Sequence, residues 1–484
     1  MSLLANIQRR ARLWGYERTS RYLRRADSRA LIARSEERAL RAFHRAARTV
    51  PAYHQLLKER GVEANSVRTI HDFKQRVPVI DKHSVFGRHA LRDLCVGGTL
   101  HSACSFYASS GSTGRFSYGL DTPRSRRRAG AALAFALHHH FDAFQRTTLV
   151  LNCLPTGVSV PVQGLPVAST SVRGDIICAL IQQLRHDFQQ FILVGEHPFL
   201  KKAIEDGVRV GVPWKQLVVH VVSGAEYIAE SFRTYLASLL GIDFDHPESG
   251  MFAVNYGLSE LSLSLFSECA NTLRIRRLAQ SDGAFRHRLY GHDNAILPNV
   301  MQYVPLQTYV EALPDADGRS ELVVTLLDPA LKVPLIRYNT NDVVQLFSYD
   351  RLHALLQDVG REDLLPTFRL PLGLVWGKLR GHALRDGSTV YAEQIKEVLY
   401  SRRTLAAKVT GSFRLTEDSD TPVLRIQLQP GAVTTPDDTV LMGEIRRITG
   451  TSLQVRFMPY NEYPYEMGHD YERKSRYWEP PSRL

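Results

Sequence analysis

A short run of hydroxyl and glycine residues that ends in an arginine has the composition of a phosphate-binding loop. It follows an apolar stretch, residues 103–108, that is typical of a β-strand. Glycines let the backbone approach a ligand closely, and hydroxyls, free N–H groups and a guanidinium can face phosphate oxygens. The spacing G-x-x-x-x-G-K-[ST] of P-loop nucleoside triphosphatases is absent, and the run alone also fits an ordinary turn. The run is Ser109-Ser110-Gly111-Ser112-Thr113-Gly114-Arg115.

Four further segments of small, polar and charged residues follow downstream. They are Ser223-Gly224-Ala225-Glu226, Tyr256-Gly257-Leu258-Ser259-Glu260, Arg337-Tyr338-Asn339-Thr340-Asn341-Asp342 and Gly377-Lys378-Leu379-Arg380, which leads into residues 390–395. This series resembles the adenylate-forming acyl ligases, specifically the phenylacetate–CoA ligase branch. The resemblance extends from about residue 46 to the C-terminus, and it rests on the order and spacing of the motifs rather than on any single one.

The resemblance implies both a fold and a reaction. The fold is α/β, with a large N-terminal multi-layer body and a small mobile C-terminal α/β lid that rotates between two half-reactions. The reaction is ATP-dependent adenylation of a carboxylic acid, aryl in this branch, to acyl-AMP and pyrophosphate. The acyl group then passes to the thiol of coenzyme A or of an acyl carrier protein. Transfer to an amine, or a nucleotide-binding pseudoenzyme, are the alternatives.

The resemblance also assigns roles to individual residues. The run 109–115 is expected to hold the leaving pyrophosphate, and Ser259 to donate to the α-phosphate. Glu260 is expected to bind Mg²⁺, because this hard cation prefers oxygen ligands. Lys474 is expected to be the catalytic lysine. The other nucleotide-binding residues expected are Gly224, Ala225 and Glu226 along the adenine, Tyr256 beside the adenine or the acyl pocket, Asp342 on the ribose, and Lys378 near the phosphates or ribose.

Each of the carboxylates has an ordinary structural alternative. Asp342 can accept hydrogen bonds from both ribose hydroxyls, but it can also be a turn residue. Glu260 can also be a carboxylate at a helix start, where the helix dipole favours a negative charge. Glu226 can also be an exposed surface residue.

The sequence departs from the family pattern at several positions. Arg115 and Phe116 stand where Lys and Pro are usual, and Lys378 stands where Arg is expected. Arg380 replaces the usual hinge aspartate, so the details of the domain rotation depend on a different residue. His469 follows Gly468 where the family has its late lysine, and Lys474 is the nearest lysine. Lys474 could equally be an exposed residue of a basic tail.

Length and composition agree with a large intracellular enzyme. A chain of 484 residues, 44% of them hydrophobic, is too long for one ordinary core and predicts two or more domains. We expect no transmembrane segment and no signal peptide, because long apolar runs are absent. Five scattered cysteines without a Cys-x-x-Cys pair favour free thiols in a reducing cytoplasm over a zinc site.

The positive charge is concentrated at the N-terminus. Residues 1–60 carry a net charge of +10 out of +12 for the whole chain, so the rest is nearly neutral. Leu4, Ile7, Ala11 and Trp14 recur at helical spacing, which predicts an amphipathic helix. It either docks on the body or contacts an acidic partner such as a carrier protein, with a membrane surface or nucleic acid as further alternatives. We expect no nucleic-acid partner, because the residue pattern of a dedicated module is missing; a homodimer is compatible with this organisation.

Alternating strand-like and helix-like segments define the expected domains. Strands are predicted near residues 148–151, 217–222 and 322–326, and helices at 124–140, 176–191 and 229–240. Residues 195–198 read as a connection, and prolines at 366 and 371 indicate a boundary. We therefore expect a basic helical arm over residues 1–45, an adenylation body over 46–376 and a lid domain over 377–484. The histidines 138–140 are not expected to bind a metal, because neighbours on a helix face different directions.

Overall fold

Helices and strands alternate along most of the chain, as the hydrophobic patterning predicts. The computed structural model describes residues 3–108, 117–155, 158–224, 226–291, 296–315, 318–418, 421–432, 438–464, 471 and 476–478. The helices are α1 (Leu3–Arg25), α2 (Ser28–Thr49), α3 (Pro51–Glu59), α4 (Ile70–Arg76), α5 (Lys82–Phe86), α6 (Pro123–Phe141), α7 (Gly174–Leu184), α8 (His197–Arg209), α9 (Glu230–Leu240), α10 (Ala270–Ser281), α11 (Gly283–Tyr290), α12 (Tyr349–Asp358), α13 (Ala392–Tyr400), α14 (Arg403–Ala406) and α15 (Asp438–Thr449). The strands are β1 (Ser105–Ala108), β2 (Tyr118–Asp121), β3 (Thr148–Asn152), β4 (Val167–Ser169), β5 (Gln190–Glu196), β6 (Val218–Gly224), β7 (Gly250–Leu258), β8 (Ser262–Ser267), β9 (Asn299–Tyr303), β10 (Thr308–Pro314), β11 (Ser320–Leu326), β12 (Tyr338–Phe347), β13 (Leu372–Gly377), β14 (Gly381–Ala383), β15 (Thr389–Tyr391), β16 (Val409–Asp418), β17 (Thr421–Leu428) and β18 (Gln454–Met458).

The body is built on an 11-stranded sheet with the order β10-β11-β12-β13-β9-β8-β7-β6-β5-β3-β4. Strands β3 to β7 pair in parallel, whereas β7 to β13 pair antiparallel. The two parts share β7, whose first half pairs with β6 and whose second half pairs with β8. Because so wide a sheet curls, strands far apart in the order can come together across it.

Helices cover both faces of the parallel part, which explains why its strands are almost continuously apolar. In β3, Val150 packs into the core beneath α6, while Leu149 and Leu151 belong to the larger core on the other face, with α7, α8 and α9. Alternate side chains of a strand point to opposite faces, so one short strand supplies both cores.

Two sequence predictions in this region are wrong. The helix expected over 176–191 ends at Leu184, and Phe191 lies instead in β5, fully buried. The connection expected over 195–198 does not exist, because β5 runs to Glu196 and α8 begins at His197 with Pro198 in its first turn. Proline is tolerated there because the first N–H groups of a helix lack a partner inside it.

The basic N-terminal arm is helical, as expected, but it turns a different face to the body than the spacing of its apolar residues indicates. Trp14 is 67% exposed. Tyr16 packs instead against Phe135 and Phe144, and Leu23 is buried with Phe368. The boundary expected at residue 45 falls inside α2, which continues to Thr49.

The strands that follow β13, which ends at Gly377, are not part of the large sheet, and we call this part of the chain the C-terminal unit. It contains the hairpin β14–β15 and a separate three-stranded sheet, β16-β17-β18, with α13 and α15 packed beside it. Its helix α13 packs on α9 of the body, where the rings of Phe232 and Tyr400 meet edge to face, 4.8 Å apart. Among the described residues, no helix is both long and apolar enough to cross a membrane.

Candidate active site

Two predicted motifs lie side by side where the parallel strands β6 and β7 end. Gly224 is the last residue of β6, and Tyr256 lies near the end of β7. A Cβ on Gly224 would stand 2.8 Å from the backbone oxygen of Asn255, so glycine allows the two strands to approach. In open α/β sheets, ligands bind at the carboxyl ends of the strands, which makes this edge the candidate site. Ala225 lies outside the described residues.

A third motif is tethered to the same place by the hairpin β1–β2. Ala108 pairs with Tyr118, so the run 109–115 connects the two strands, although it lies outside the described residues. A Cβ on Gly119 of β2 would stand 2.2 Å from the backbone oxygen of Ser259. The hairpin backbone therefore touches the turn that carries Ser259 and Glu260.

Glu260 and Asp342 are each held by a tyrosine from the other motif. The Tyr338 hydroxyl donates to Oε1 of Glu260 at 2.9 Å, and the Tyr256 hydroxyl donates to Oδ2 of Asp342 at 2.6 Å. Glu260 and Asp342 are 8% and 5% exposed. These reciprocal bonds join segments about 80 residues apart, so they require the curled sheet rather than any local pattern.

The tyrosines remain neutral donors in this arrangement. Burial and then the neighbouring Asp342 raise the pKa of Tyr256 well above its ordinary value. Burial and then Glu260 do the same to the pKa of Tyr338. A raised tyrosine pKa means that the phenol keeps its proton and acts as a hydrogen-bond donor. The site thus presents two carboxyl groups, each held by a buried, neutral hydrogen-bond donor.

The start of β12 is fixed by Arg337, which serves a structural purpose. Its guanidinium makes two hydrogen bonds of 3.0 Å to Glu311 and donates to the backbone oxygen of Val77 at 2.6 Å. Arg337 and Asn341 have φ values of 50° and 56°, in the left-handed region, where asparagine is tolerated better than most residues. These contacts set the backbone from which Tyr338 and Asp342 extend.

Glu226 lies between the body and the C-terminal unit. Its Oε2 accepts hydrogen bonds from Lys396 Nζ at 3.0 Å and from the Tyr477 hydroxyl at 2.6 Å. The side chain is only 16% exposed, so the alternative of an exposed surface residue is wrong. Burial, the largest single influence, raises the pKa of Glu226, but Lys396, His197 and the hydrogen bond from the tyrosine hydroxyl together outweigh it and lower that pKa to about 2. In this arrangement Lys396 and Tyr477 are the protein partners of Glu226.

Glu397, which follows Lys396 in α13, makes a second contact between the C-terminal unit and the body. Both carboxylate oxygens of Glu397 accept hydrogen bonds from the first turn of α9, from the Glu230 and Ser231 N–H groups at 2.7 and 3.0 Å. Helix α9 has Ala229 at its N-cap, a residue without a capping side chain. Glu397 therefore supplies the cap from the C-terminal unit.

Neither Lys396 nor Glu397 belongs to a motif that the sequence pattern singles out. A signal was available, because α13 is otherwise strongly buried, with Ile395, Val398 and Leu399 inaccessible. Two adjacent charges in so apolar a helix need partners from elsewhere in the fold.

Two of the remaining predicted residues, Lys378 and Arg380, lie at the junction of the two units. Gly377, with a φ of 76°, places a hypothetical Cβ 4.0 Å from Oδ1 of Asp342, so the chain leaves the body beside that carboxylate. Lys378 and Arg380 follow and are exposed. Lys474 lies outside the described residues.

Comparison with known proteins gives a clear result for the fold. No protein-family model matches the chain, and no curated protein matches its sequence. A solved 2-hydroxyisobutyryl-CoA ligase in the postadenylation state, in complex with R3-HIB-AMP, superposes with a TM-score of 0.66 over 93% of this chain and 90% of that one, at 13% identity. This chain has the adenylate-forming ligase fold. The same ligase in the thioesterification state, with 2-HIB-AMP and CoA, superposes with a TM-score of 0.54 at 14% identity, over 94% of this chain and 90% of that one.

One carboxylate of this site could contribute a ligand to a metal ion. Oε2 of Glu260 has no hydrogen-bond partner among the described residues, so it can ligate a hard cation. The described residues contain no group of three His, Cys, Asp or Glu side chains that could hold a metal by themselves. A cation at Glu260 would therefore need ligands from a substrate or from water.

Proposed function

We propose that this protein activates a carboxylic acid with ATP and transfers the acyl group to a thiol. In the first step, a carboxylate oxygen attacks the α-phosphorus and pyrophosphate leaves with the electron pair of the broken phosphorus–oxygen bond. In the second step, the acceptor sulfur attacks the acyl carbon. AMP leaves with the electrons of the acyl–oxygen bond, and the thiol proton is released.

The observation that carries this proposal is the reciprocal pairing of Glu260 with Tyr338 and Asp342 with Tyr256. It brings two carboxylates, preorganised by neutral donors, to the ligand-binding edge of an adenylate-forming fold. Preorganised groups need no rearrangement when the substrate binds, which is the main way proteins promote phosphoryl and nucleotidyl transfer.

Each residue has a place in the first step. Asp342 accepts hydrogen bonds from the ribose hydroxyls, and Ser259 donates a hydrogen bond to the α-phosphate. The run 109–115 holds the departing pyrophosphate. Glu260 holds Mg²⁺, which would supply charge neutralisation at the phosphates; a single carboxylate fits, because this ion usually takes one or two protein ligands plus phosphates and water. Tyr256 and Gly224 shape the wall beside the adenine.

The C-terminal unit, residues 377–484, acts as a rotating lid over the body, residues 46–376. The higher TM-score to the postadenylation state than to the thioesterification state supports an assignment of the present arrangement to the end of the first step. Lys378 and Arg380 lie at the pivot, and Lys474 is the cation that the lid brings to the α-phosphate. Loss of the contacts of Glu226 and Glu397 with the opposite unit accompanies the rotation to the second step.

The substrate proposed is an aryl acid, from the resemblance to the phenylacetate–CoA ligase branch. The acceptor is coenzyme A or a carrier protein, and the five free thiols agree with a cytoplasmic site of action. A small 2-hydroxy acid is the second acid class to test, because the matched ligase is named for 2-hydroxyisobutyrate.

Pyrophosphate exchange into ATP tests the first step without knowledge of the acceptor. The acids are phenylacetate, benzoate, hydroxybenzoates, 2-hydroxyisobutyrate and a medium-chain fatty acid. We expect exchange that depends on one of these acids and on Mg²⁺. Binding of ATP without exchange for any acid would identify the protein as a nucleotide-binding pseudoenzyme instead.

A matched pair of variants then tests the metal site. Glu260→Gln keeps the shape of the side chain and removes its charge, so exchange should require more Mg²⁺. Glu362→Gln makes the same change at an exposed position and should titrate like the wild type. An unchanged Mg²⁺ titration for Glu260→Gln would make this residue a structural carboxylate.

A further inference from the structure

An unusual concentration of arginine lies at the corner between α1 and α2. A cavity of about 470 Å³ opens there, lined by four arginines and one tyrosine, with Asp27 as the single acidic lining residue. We call this cavity, together with the neighbouring Trp14, the arginine groove. Its charged and aromatic lining residues are Arg18, Arg21, Tyr22, Arg25 and Arg34.

The residues of the groove that belong to α1 share one face of that helix. Positions 14, 18, 21, 22 and 25 follow the i, i+4, i+7, i+8, i+11 pattern of a single helical face. In most amphipathic helices such a face is apolar and packs on the core. Here it carries three arginines and two aromatic residues, and it faces outward.

The charges of the groove are poorly neutralised by the protein itself. Arg21 lies 3.9 Å from Glu17, an exposed pair of little energetic value. Asp27 already accepts a hydrogen bond from the backbone N–H of Arg29, because it caps α2. Arg25 makes no hydrogen bond or ion pair with any residue in the described part of the chain. The arginines of the groove are therefore available to bind anions.

The two aromatic residues of the groove are exposed without a role in packing. Trp14 is 67% exposed and Tyr22 is 45% exposed. The Arg18 guanidinium stacks over the Trp14 ring at 5.7 Å, and the Tyr22 hydroxyl accepts a hydrogen bond from Arg34 at 3.3 Å. Trp, Tyr and Arg are the residues most enriched where protein interfaces bind tightly.

We propose that the arginine groove binds an acidic helix of a partner protein, namely the carrier protein whose thiol accepts the acyl group. This assignment of the partner rests on the proposed function. From Trp14 to Arg25, α1 extends about 16 Å at 1.5 Å per residue, which suits a helix that presents carboxylates every turn better than one small anion. Nearly all of the net charge lies in this N-terminal region, so a negatively charged partner is steered here and not to the body.

A direct binding measurement tests the groove. The probe is a 20-residue helical peptide with glutamates at i, i+4 spacing along one face, labelled with a fluorophore. The test variant carries Arg18→Glu, Arg21→Glu and Arg25→Glu. The matched control carries Arg41→Glu, Arg48→Glu and Arg60→Glu, three exposed arginines outside the groove.

We expect the test variant to lose about 10-fold or more in affinity for the peptide, and the control to stay within about twofold of wild type. Raising the salt from 0.05 to 0.5 M should erase most of the difference, since screened charges attract weakly. Equal loss in both variants would overturn the proposal, because attraction would then follow net charge alone. Tighter, groove-dependent binding of a 20-base-pair DNA duplex or of vesicles with 30% phosphatidylglycerol would overturn it in favour of those partners.

Two further readouts separate the groove from catalysis. Trp14→Phe should bind the peptide but lose the tryptophan fluorescence change that accompanies binding. Pyrophosphate exchange should be the same in wild type, test variant and control. Absence of exchange in all three proteins would count against the proposed function only, whereas a missing peptide effect with normal exchange would count against the groove only.

Discussion

Two sets of carboxylates are held in contrasting ways. Inside the body, Glu260 and Asp342 are held by the hydroxyls of Tyr338 and Tyr256, which belong to the same unit. At the boundary with the C-terminal unit, Glu226 and Glu397 are held by partners across it: Glu226 by Lys396 and Tyr477, and Glu397 by the N–H groups of α9. The first set joins strands that do not separate, and the second joins units that the proposed mechanism separates.

The kind of group that holds each carboxylate determines what that carboxylate can do. A carboxylate held by a neutral phenol keeps its full charge for a ribose hydroxyl or a cation. A carboxylate held by a lysine is neutralised, and its contact is strong only while the two charges stay together. The body pairs therefore suit substrate binding, and the boundary pairs suit a contact that is made in one arrangement and broken in another.

The strongest test of this comparison removes a carboxylate of the first set. Asp342→Ala should reduce kcat/KM for ATP in the exchange assay by roughly 30- to 1,000-fold, because a two-point, charge-assisted contact contributes about 2–4 kcal/mol. The thermal midpoint should change little by comparison. Asp350→Ala, at an exposed position, is the control and should behave as wild type. An ATP dependence equal to wild type would remove Asp342 from the ribose site.

A change at the boundary should affect the contact between the units rather than nucleotide affinity. Lys396→Met leaves Glu226 buried without its cation and should cost about 2–3 kcal/mol, somewhat less than a fully buried pair, since Glu226 is 16% exposed. Limited proteolysis between the units should accelerate in this variant. Adding Glu226→Gln should restore much of the loss, because no unpaired charge remains. If the double variant is as weak as the single one, the lysine acts through packing alone.

Removal of each tyrosine hydroxyl should have a smaller effect, and it should distinguish the role of Asp342 from that of Glu260. Tyr256→Phe should raise the KM for ATP, and Tyr338→Phe should raise the Mg²⁺ requirement. Each change should be about 5- to 30-fold, which corresponds to the roughly 1–2 kcal/mol of one hydrogen bond. Tyr349→Phe, remote from the site, is the control. If both variants affected ATP and Mg²⁺ equally, the two carboxylates would act as one unit rather than in separate roles.

The sequence predicted the class of fold and the strands that carry the motifs, because hydrophobic periodicity and motif order are local signals. It could not predict the reciprocal tyrosine bonds, since the pairing of Tyr256 with Asp342 depends on how the sheet curls. Spacing alone predicts that Trp14 lies on the apolar face of its helix. It is exposed, because the face that packs against the body carries Tyr16 and Leu23 instead. The adjacent charges in the apolar helix α13 indicate that partners exist, but neither segment alone identifies the N–H groups of α9 as the partners of Glu397.

The smallest expected effect concerns pH, and it tests whether Glu226 is held as a charged partner of Lys396. The pKa of Glu226 is lowered to about 2 from an ordinary 4.5, so its pairing with Lys396 stabilises the protein above pH 4.5 and is lost as the pH falls toward 2. Near pH 4 the loss should be about 1 kcal/mol.

Wild type must be compared with the Glu226→Gln/Lys396→Met double variant, because other groups also titrate under acid. Burial lowers the pKa values of His139, His140 and His220 to about 3, 4 and 3, so all three oppose folding increasingly below pH 6.5. That contribution is common to both proteins and cancels in their difference. The difference in free energy of unfolding should therefore be constant from pH 7 to pH 5 and change between pH 5 and pH 3, to the disadvantage of wild type. A difference independent of pH would show that Glu226 is not held as a charged partner of Lys396, and the contrast between the two sets of carboxylates would fail at the boundary.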